Sequence, residues 1–284
     1  MKRSLFYITI ALLFVLAACD GNDEPAAGEP DSSSQQENEN TEEQTENNNQ
    51  ENVEEGTEET EEIVENEEVA AEPEEPKYKI SENWSVVPID DADEEVVLLT
   101  IDDAPDEYGV EMAKTLNELD ADAIFFVNGH FLDTPEEEEM LKEIHELGFA
   151  IGNHTYSHPT LPEIPEEEQK EEIVSLSDRV EEIIGERPSF FRAPHGANTD
   201  YSIQVAEEEG MTVMNWSYGY DWNEEYMDKE ALADIMVNTE FLSAGSNLLM
   251  HDREWTSEAL SDIVNGLRDK GYELVDPDLI QTPA

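Results

Sequence analysis

One cysteine, Cys19, is all the thiol chemistry that these 284 residues carry. That scarcity excludes an internal disulfide framework and a cysteine-based zinc site. Basic residues are also few: 14 Lys and Arg stand against 73 Asp and Glu, a formal net charge of −59. Affinity for nucleic acid depends on Lys and Arg neutralising phosphates, so that class of partner is excluded. No Gly-x-Gly-x-x-Gly and no Gly-Lys-Ser/Thr follows a strand, which leaves nucleotide binding unsupported. No internal repeat is evident. Residues 20–76 contain no aromatic side chain and only scattered aliphatics among Glu, Asn, Gln, Ser and Thr. Such a segment cannot bury enough apolar surface to offset its ordering entropy, and it reads as a disordered acidic linker.

Before the linker, residues 1–19 run from a short basic start, Lys2 and Arg3, into an apolar stretch from Leu5 to Ala18. The pattern is that of a secretory signal, too short for a comfortable membrane span. Its end, Leu16-Ala-Ala-Cys19, resembles the bacterial lipoprotein cleavage box, which implies lipidation at Cys19 and an extracytoplasmic protein held on the cell membrane. A plain signal peptide or an uncleaved anchor is the alternative. No myristoylation glycine stands at position 2 and no Cys-a-a-X closes the chain. Residues 77–284 hold 50 acidic and 12 basic residues, a net of −38. A domain so charged repels itself, and salt screens the repulsion, which points to a saline or alkaline setting.

From Lys77 the composition changes to that of a folded domain, 77–284. Residues 84–89 read as a short lead-in strand. Val96–Ile101 is a continuous apolar run that reads as a strand buried on both faces. It runs into Asp102 and Asp103, then Pro105. Alternation along a strand sends adjacent side chains in opposite directions, so the two carboxylates are expected to serve different roles. The plainer alternative is an Asp-Asp turn after a core strand. Further strands are expected at 123–127, 149–151, 189–191, 212–216, 247–250 and 272–275, with helices at 108–119, 165–184, 201–209, 229–242 and 257–270. A helix also begins at Thr134-Pro-Glu-Glu, where Thr caps and Pro occupies the first turn. Seven strands alternating with helices argue for an α/β fold with a parallel sheet, open or closed as a barrel.

In such folds function gathers where strand C-termini meet their loops. The polar residues of this chain fall there: Asp102-Asp103, Asn128-Gly-His130, His154 with His158, Arg192 with His195, Asp221-Trp222 and His251-Asp252. Five of the six histidines sit in those loops, and only His145 lies in a helix. His154 and His158, four apart, suit a helical turn or a tight loop that brings both imidazoles to one point. With one Asp they make a two-His, one-carboxylate set that leaves open positions for water and substrate. Satisfied loop histidines are the alternative.

Five stretches resemble, in order, the five motifs of the polysaccharide deacetylases, carbohydrate esterase family 4. They are Thr100-Ile-Asp-Asp-Ala-Pro105, His154-Thr-Tyr-Ser-His158, Arg192-Ala-Pro-His-Gly196, Asp221-Trp222 and Leu249-Met-His251. The family fold is a distorted (β/α) barrel of seven strands. The resemblance implies that Asp103, His154 and His158 hold one divalent metal ion, often zinc. It implies Asp102 as the general base towards water and His251 as the acid that protonates the leaving amine. Arg192 and Asp221 are expected to pair with each other and orient these groups. Trp222 and Leu249 are expected to wall the acetyl pocket, and the backbone N–H of His195 to bind the oxyanion. An ordinary ion pair for Arg192 and Asp221, and core packing for Trp222 and Leu249, remain open.

The chain departs from the family pattern at Ile101, Ala104 and His195, where Phe, Gly and Tyr are usual. Trp216-Ser-Tyr-Gly-Tyr220 also lacks an earlier Asp. His130 reads as a substrate contact or an ordinary loop histidine. The implied activity is removal of N-acetyl groups from N-acetylglucosamine units of peptidoglycan or another cell-surface or chitin-like glycan. The rivals are an O-acetyl esterase acting on a xylan-type polymer and a weakly catalytic wall-binding lipoprotein.

Overall fold

The computed structural model describes residues 75–283. The signal segment, Cys19 and nearly all of the acidic linker lie outside the described residues. The first two strands, β1 (Tyr78–Ile80) and β2 (Val86–Pro88), pair antiparallel as a hairpin. The lead-in strand is therefore half of a hairpin.

The main sheet is built from β3 (Val96–Ala104), β4 (Ile124–Val127), β5 (Ala150–Asn153), β6 (Phe190–Phe191), β7 (Thr212–Val213), β8 (Tyr218–Gly219) and β9 (Ser246–His251). All pair in parallel in the order β7-β6-β5-β4-β3-β9-β8. This is the strand order of a barrel left open between β7 and β8, a curled half-barrel of seven strands. The count matches expectation, but one member differs. The stretch 212–216 gives only β7, and the chain re-enters the sheet at β8, which its Gly219 and flanking tyrosines did not advertise as a strand. The last expected strand is β10 (Glu273–Leu274), a short addition beside Val96 and Val97.

Alternation along β3 divides the molecule. Val97, Leu99 and Ile101 face the cluster under the helices, while Val96 and Leu98 face the inside of the curl with Ile124, Phe126, Phe190 and Met214. Tyr78 and Val86 of the hairpin join that inner cluster. Continuing up the inner face, Leu98 gives way to Thr100 and then Asp102, so the curl is apolar at its base and polar at its mouth.

Six helices cover the sheet: α1 (Gly109–Glu118), α2 (Pro135–Glu146), α3 (Glu166–Ile184), α4 (Asp200–Glu208), α5 (Lys229–Asn238) and α6 (Glu254–Asp269). Thr134 and Glu137 form the capping box that starts α2. Gly185 ends α3 in the left-handed region at φ 83°. Helix α5 stops four residues short of expectation. Thr239 turns extended there, and its hydroxyl bonds the Tyr220 hydroxyl at 2.6 Å. Among the described residues no helix is long and apolar enough to cross a membrane.

Candidate active site

Asp102 and Asp103 sit within β3 rather than after it, and both point into one cleft. This corrects the expectation of opposed side chains. Between Ile101 and Ala104 the strand takes three steps while β4 takes two, a bulge of one residue. Asp103 adopts φ 60° inside it. Bulges re-aim side chains in this way beside active sites. As a result Asp102 Oδ2 and Asp103 Oδ1 both approach His154 Nε2, at 3.6 and 3.9 Å.

The partners of the two carboxylates separate their roles. Arg192 Nη1 donates to Asp102 Oδ1 at 2.6 Å and to Thr100 Oγ1 at 2.8 Å. His158 Nε2 lies 3.5 Å from Asp103 Oδ1. Ligand atoms of Asp103, His154 and His158 all fall within 4.8 Å of one another. Donors about 2.0–2.1 Å from one tetrahedral ion stand about 3.3 Å apart, so modest closure brings these three onto it. The His154 imidazole is buried, and its Nδ1 is engaged by the Arg192 carbonyl oxygen at 2.7 Å. That bond leaves the Nε2 lone pair free for a metal. Burial lowers the His154 pKa, against the pull of Asp103, which favours the neutral ring that a metal ligand needs. Burial also lowers His158. The donor set fits one divalent cation.

His251 stands beside Asp102 as its register partner on β9. Its Nδ1 donates to Asp221 Oδ1 at 2.8 Å, and its backbone N–H donates to Asp221 Oδ2 at 2.6 Å. Thr256 Oγ1 completes the Asp221 carboxylate at 2.9 Å. The expected Arg192–Asp221 pair is thus corrected. Arg192 binds Asp102 and Asp221 binds His251, because Arg192 comes from the β6 side of the curl and Asp221 from the β8 side. Burial alone would lower the His251 pKa. The hydrogen bond and charge of Asp221, with Asp102 and Asp103, outweigh it and raise the value. Burial raises Asp102, and Arg192 opposes the rise.

These groups open on a cleft of about 500 Å³ also lined by His195, Trp222 and Leu249. Trp222, 45% exposed, meets the His251 ring edge-on at 5.5 Å, and Leu249 lies buried beneath. His195 sits at φ 60° with its ring exposed and edge-on to His158 at 5.0 Å. Arg192 is fully buried behind the cleft, where its guanidinium lies over the Phe126 ring.

Arg253 escaped the sequence reading, which placed Asn128, His130 and Asp252 at the strand ends without assigning their contacts. Arg253 Nη2 donates to Asp103 Oδ2 at 2.8 Å, which leaves Oδ1 to face His158. Asp252 accepts from the N–H groups of Asp106 and Tyr108, at 2.7 Å each, and so pins the chain after the bulge. Asn128 Nδ2 donates to the carbonyls of His154 and Thr155. His130 is a loop histidine whose backbone N–H and ring Nδ1 both engage the Tyr156 carbonyl oxygen. The signal available for Arg253 was its rarity, a cation beside His251 in an acidic chain.

A family model described as polysaccharide deacetylase matches residues 90–214, from before Asp102 through His195. Over 196 residues the chain is 30% identical to a peptidoglycan-N-acetylglucosamine deacetylase from Bacillus cereus, covering 66% of this chain and 68% of that protein. The chain belongs to the polysaccharide deacetylase family. Membership makes it kin to hydrolases of the metal-dependent kind, in keeping with the donor set above. A second relative is the peptidoglycan-N-acetylmuramic acid deacetylase PdaC of Bacillus subtilis, 32% identical over 65% of this chain and 38% of that protein. The solved PdaC structure superposes with a TM-score of 0.58 at 29% identity, covering 64% of this chain and 88% of that one. A CE4 family pseudoenzyme from Bacillus anthracis superposes at 0.59 with 25% identity, over 64% of this chain and 63% of that one. The fold is thus shared by a protein described as a pseudoenzyme.

Proposed function

We propose that the chain removes N-acetyl groups from N-acetylglucosamine units of peptidoglycan or a related cell-surface or chitin-like glycan. The observation that carries this reading is the register of Asp102 against His251. A carboxylate and an imidazole rise side by side next to the cluster of Asp103, His154 and His158. A divalent metal held by those three, zinc by family resemblance, would acidify water and polarise the amide carbonyl. Asp102, kept oriented by Arg192, takes the proton as water adds to the carbonyl carbon. The backbone N–H of His195 offers a donor to the oxyanion. His251, whose proton affinity Asp221 raises, gives its proton to the nitrogen as the C–N bond breaks, and acetate and a free amine leave. Trp222 and Leu249 shape the wall against which the acetyl methyl rests.

The test is acetate release from an N-acetylglucosamine oligomer and from acetylated xylan, side by side. Wild type is expected to release acetate from the oligomer, and Asp102→Asn to fall by about 100- to 10,000-fold, the usual contribution of a positioned base. Preference for xylan would move the reading to an O-acetyl esterase. Silence of the wild type on both would match the pseudoenzyme neighbour. Leu16-Ala-Ala-Cys19 supports a further part of the proposal, a lipid anchor that holds the domain outside the cell membrane. Cys19→Ser is then expected to move the protein from the detergent to the aqueous phase on partitioning, and its retention in detergent would refute the anchor.

A further inference from the structure

The two histidines of the cluster are held in different ways. His154 is fixed by its own contacts, through its ring to the Arg192 carbonyl and through its backbone to Asn128. His158 is placed by its loop. Its ring meets His154 and His195 edge-on, and its backbone stands at φ 59°. Thr155, at the other end of the loop, stands at φ 69°. A β-branched residue there is a genuine outlier, and such conformations persist only where the surroundings over-determine them.

Asn153 and Asn128 hold the backbone of Thr155, and one residue on α3 holds the two residues that follow it. The Glu172 carbonyl oxygen accepts the Tyr156 N–H at 3.0 Å. Its side chain accepts the Ser157 N–H at Oε2, 2.7 Å, and the Ser157 hydroxyl at Oε1, 2.6 Å. We propose that the Glu172 carboxylate is a positioning residue for His158, acting through Ser157 to hold the imidazole at ligating distance. The inference rests on the reading that Asp103, His154 and His158 hold a divalent metal. Ionised acceptors make the shorter and stronger hydrogen bonds, and two on one residue fix both position and rotation of the peptide. The five glutamates of α3 from Glu166 to Glu172 look alike as a solvated acidic face. Glu172 is set apart by turning to the loop.

The experiment uses the full chain, stripped of metal with a chelator and titrated with Zn²⁺ by calorimetry, beside the melting temperature of each stripped protein. Glu172→Ala is expected to weaken zinc binding by about 10- to 100-fold, the usual effect of losing an outer-shell partner, with the melting temperature of the stripped protein little changed. Glu172→Gln keeps an acceptor for the Ser157 N–H and gains an amide donor for its oxygen, so it is expected to recover most of the affinity. Ser157→Ala, which leaves α3 intact, is expected to lose part of it and serves if Glu172→Ala does not fold. Wild-type affinity in Glu172→Ala or in Ser157→Ala overturns the inference, as does a Glu172→Gln protein no better than the alanine variant. A wild type that takes up no zinc overturns the metal reading itself, and the inference with it.

Discussion

Asp221 sets both the position and the proton affinity of His251. Its two oxygens hold the ring Nδ1 and the backbone N–H of the same residue, and its charge raises the imidazole above the ordinary value near 6.5. Activity should therefore fall on the alkaline side only above that ordinary value, as His251 loses its proton. Asp221→Asn removes the charge, so the alkaline limb of kcat is expected to move to lower pH, together with a loss of rate. An unmoved limb would show that His251 is not the acid. The same shift bears on stability. A histidine raised in the folded state contributes fully below its unfolded pKa, and the contribution is lost as pH rises through the folded value. The sequence showed that Arg192, Asp221 and His251 would meet, because each lies just beyond a strand. Which pairs with which depends on the angle at which strands bring them together, and no spacing in the chain encodes that.

At the scale of elements, the loop that carries His154 and His158 is cradled by the turn after β4. Gly129 is required there. A Cβ would lie 2.3 Å from Tyr156 Cδ2 and 2.4 Å from its Cγ, the root of the ring, while the ring's hydroxyl bonds Asp133 at 2.7 Å. Gly129→Ala is expected to cost about 1–3 kcal/mol of stability and to weaken zinc binding, read by thermal melting and calorimetry. Zinc affinity unchanged in a stable variant would separate the cradle from the metal loop. The strands and most helices were legible because apolar runs and caps are local signals. The bulge at Asp102 and Asp103 was not. It is a mismatch between β3 and β4, visible only when both strands are in place, and it explains why adjacent residues that should diverge instead converge. Glu172 was hidden for a related reason, since a Glu facing a loop and a Glu facing water read the same.

On the scale of the molecule, a net charge of −38 over residues 77–284 was legible at once, and its consequence is thermodynamic. Like charges at close range oppose compaction, and a Debye length of about 10 Å at 0.1 M salt shortens to about 3 Å at 1 M. The melting temperature is expected to rise with NaCl across that range, and a flat or falling curve would remove the saline or alkaline setting. The charge also bears on the site, because the cleft concentrates three carboxylates, Asp102, Asp103 and Asp221, that a cation must help to offset. The curl brings them together from two strands, β3 and β8, and the account holds only if the cation takes the place assigned to it. Anomalous diffraction at the zinc edge from zinc-soaked crystals tests this most directly. The expected result is one peak about 2.0–2.2 Å from Asp103 Oδ1, His154 Nε2 and His158 Nε2, with Asp102 and His251 beside it but not bound. A peak ligated by Asp102 in place of Asp103, or one away from this cleft, would contradict the assignment of base and ligand.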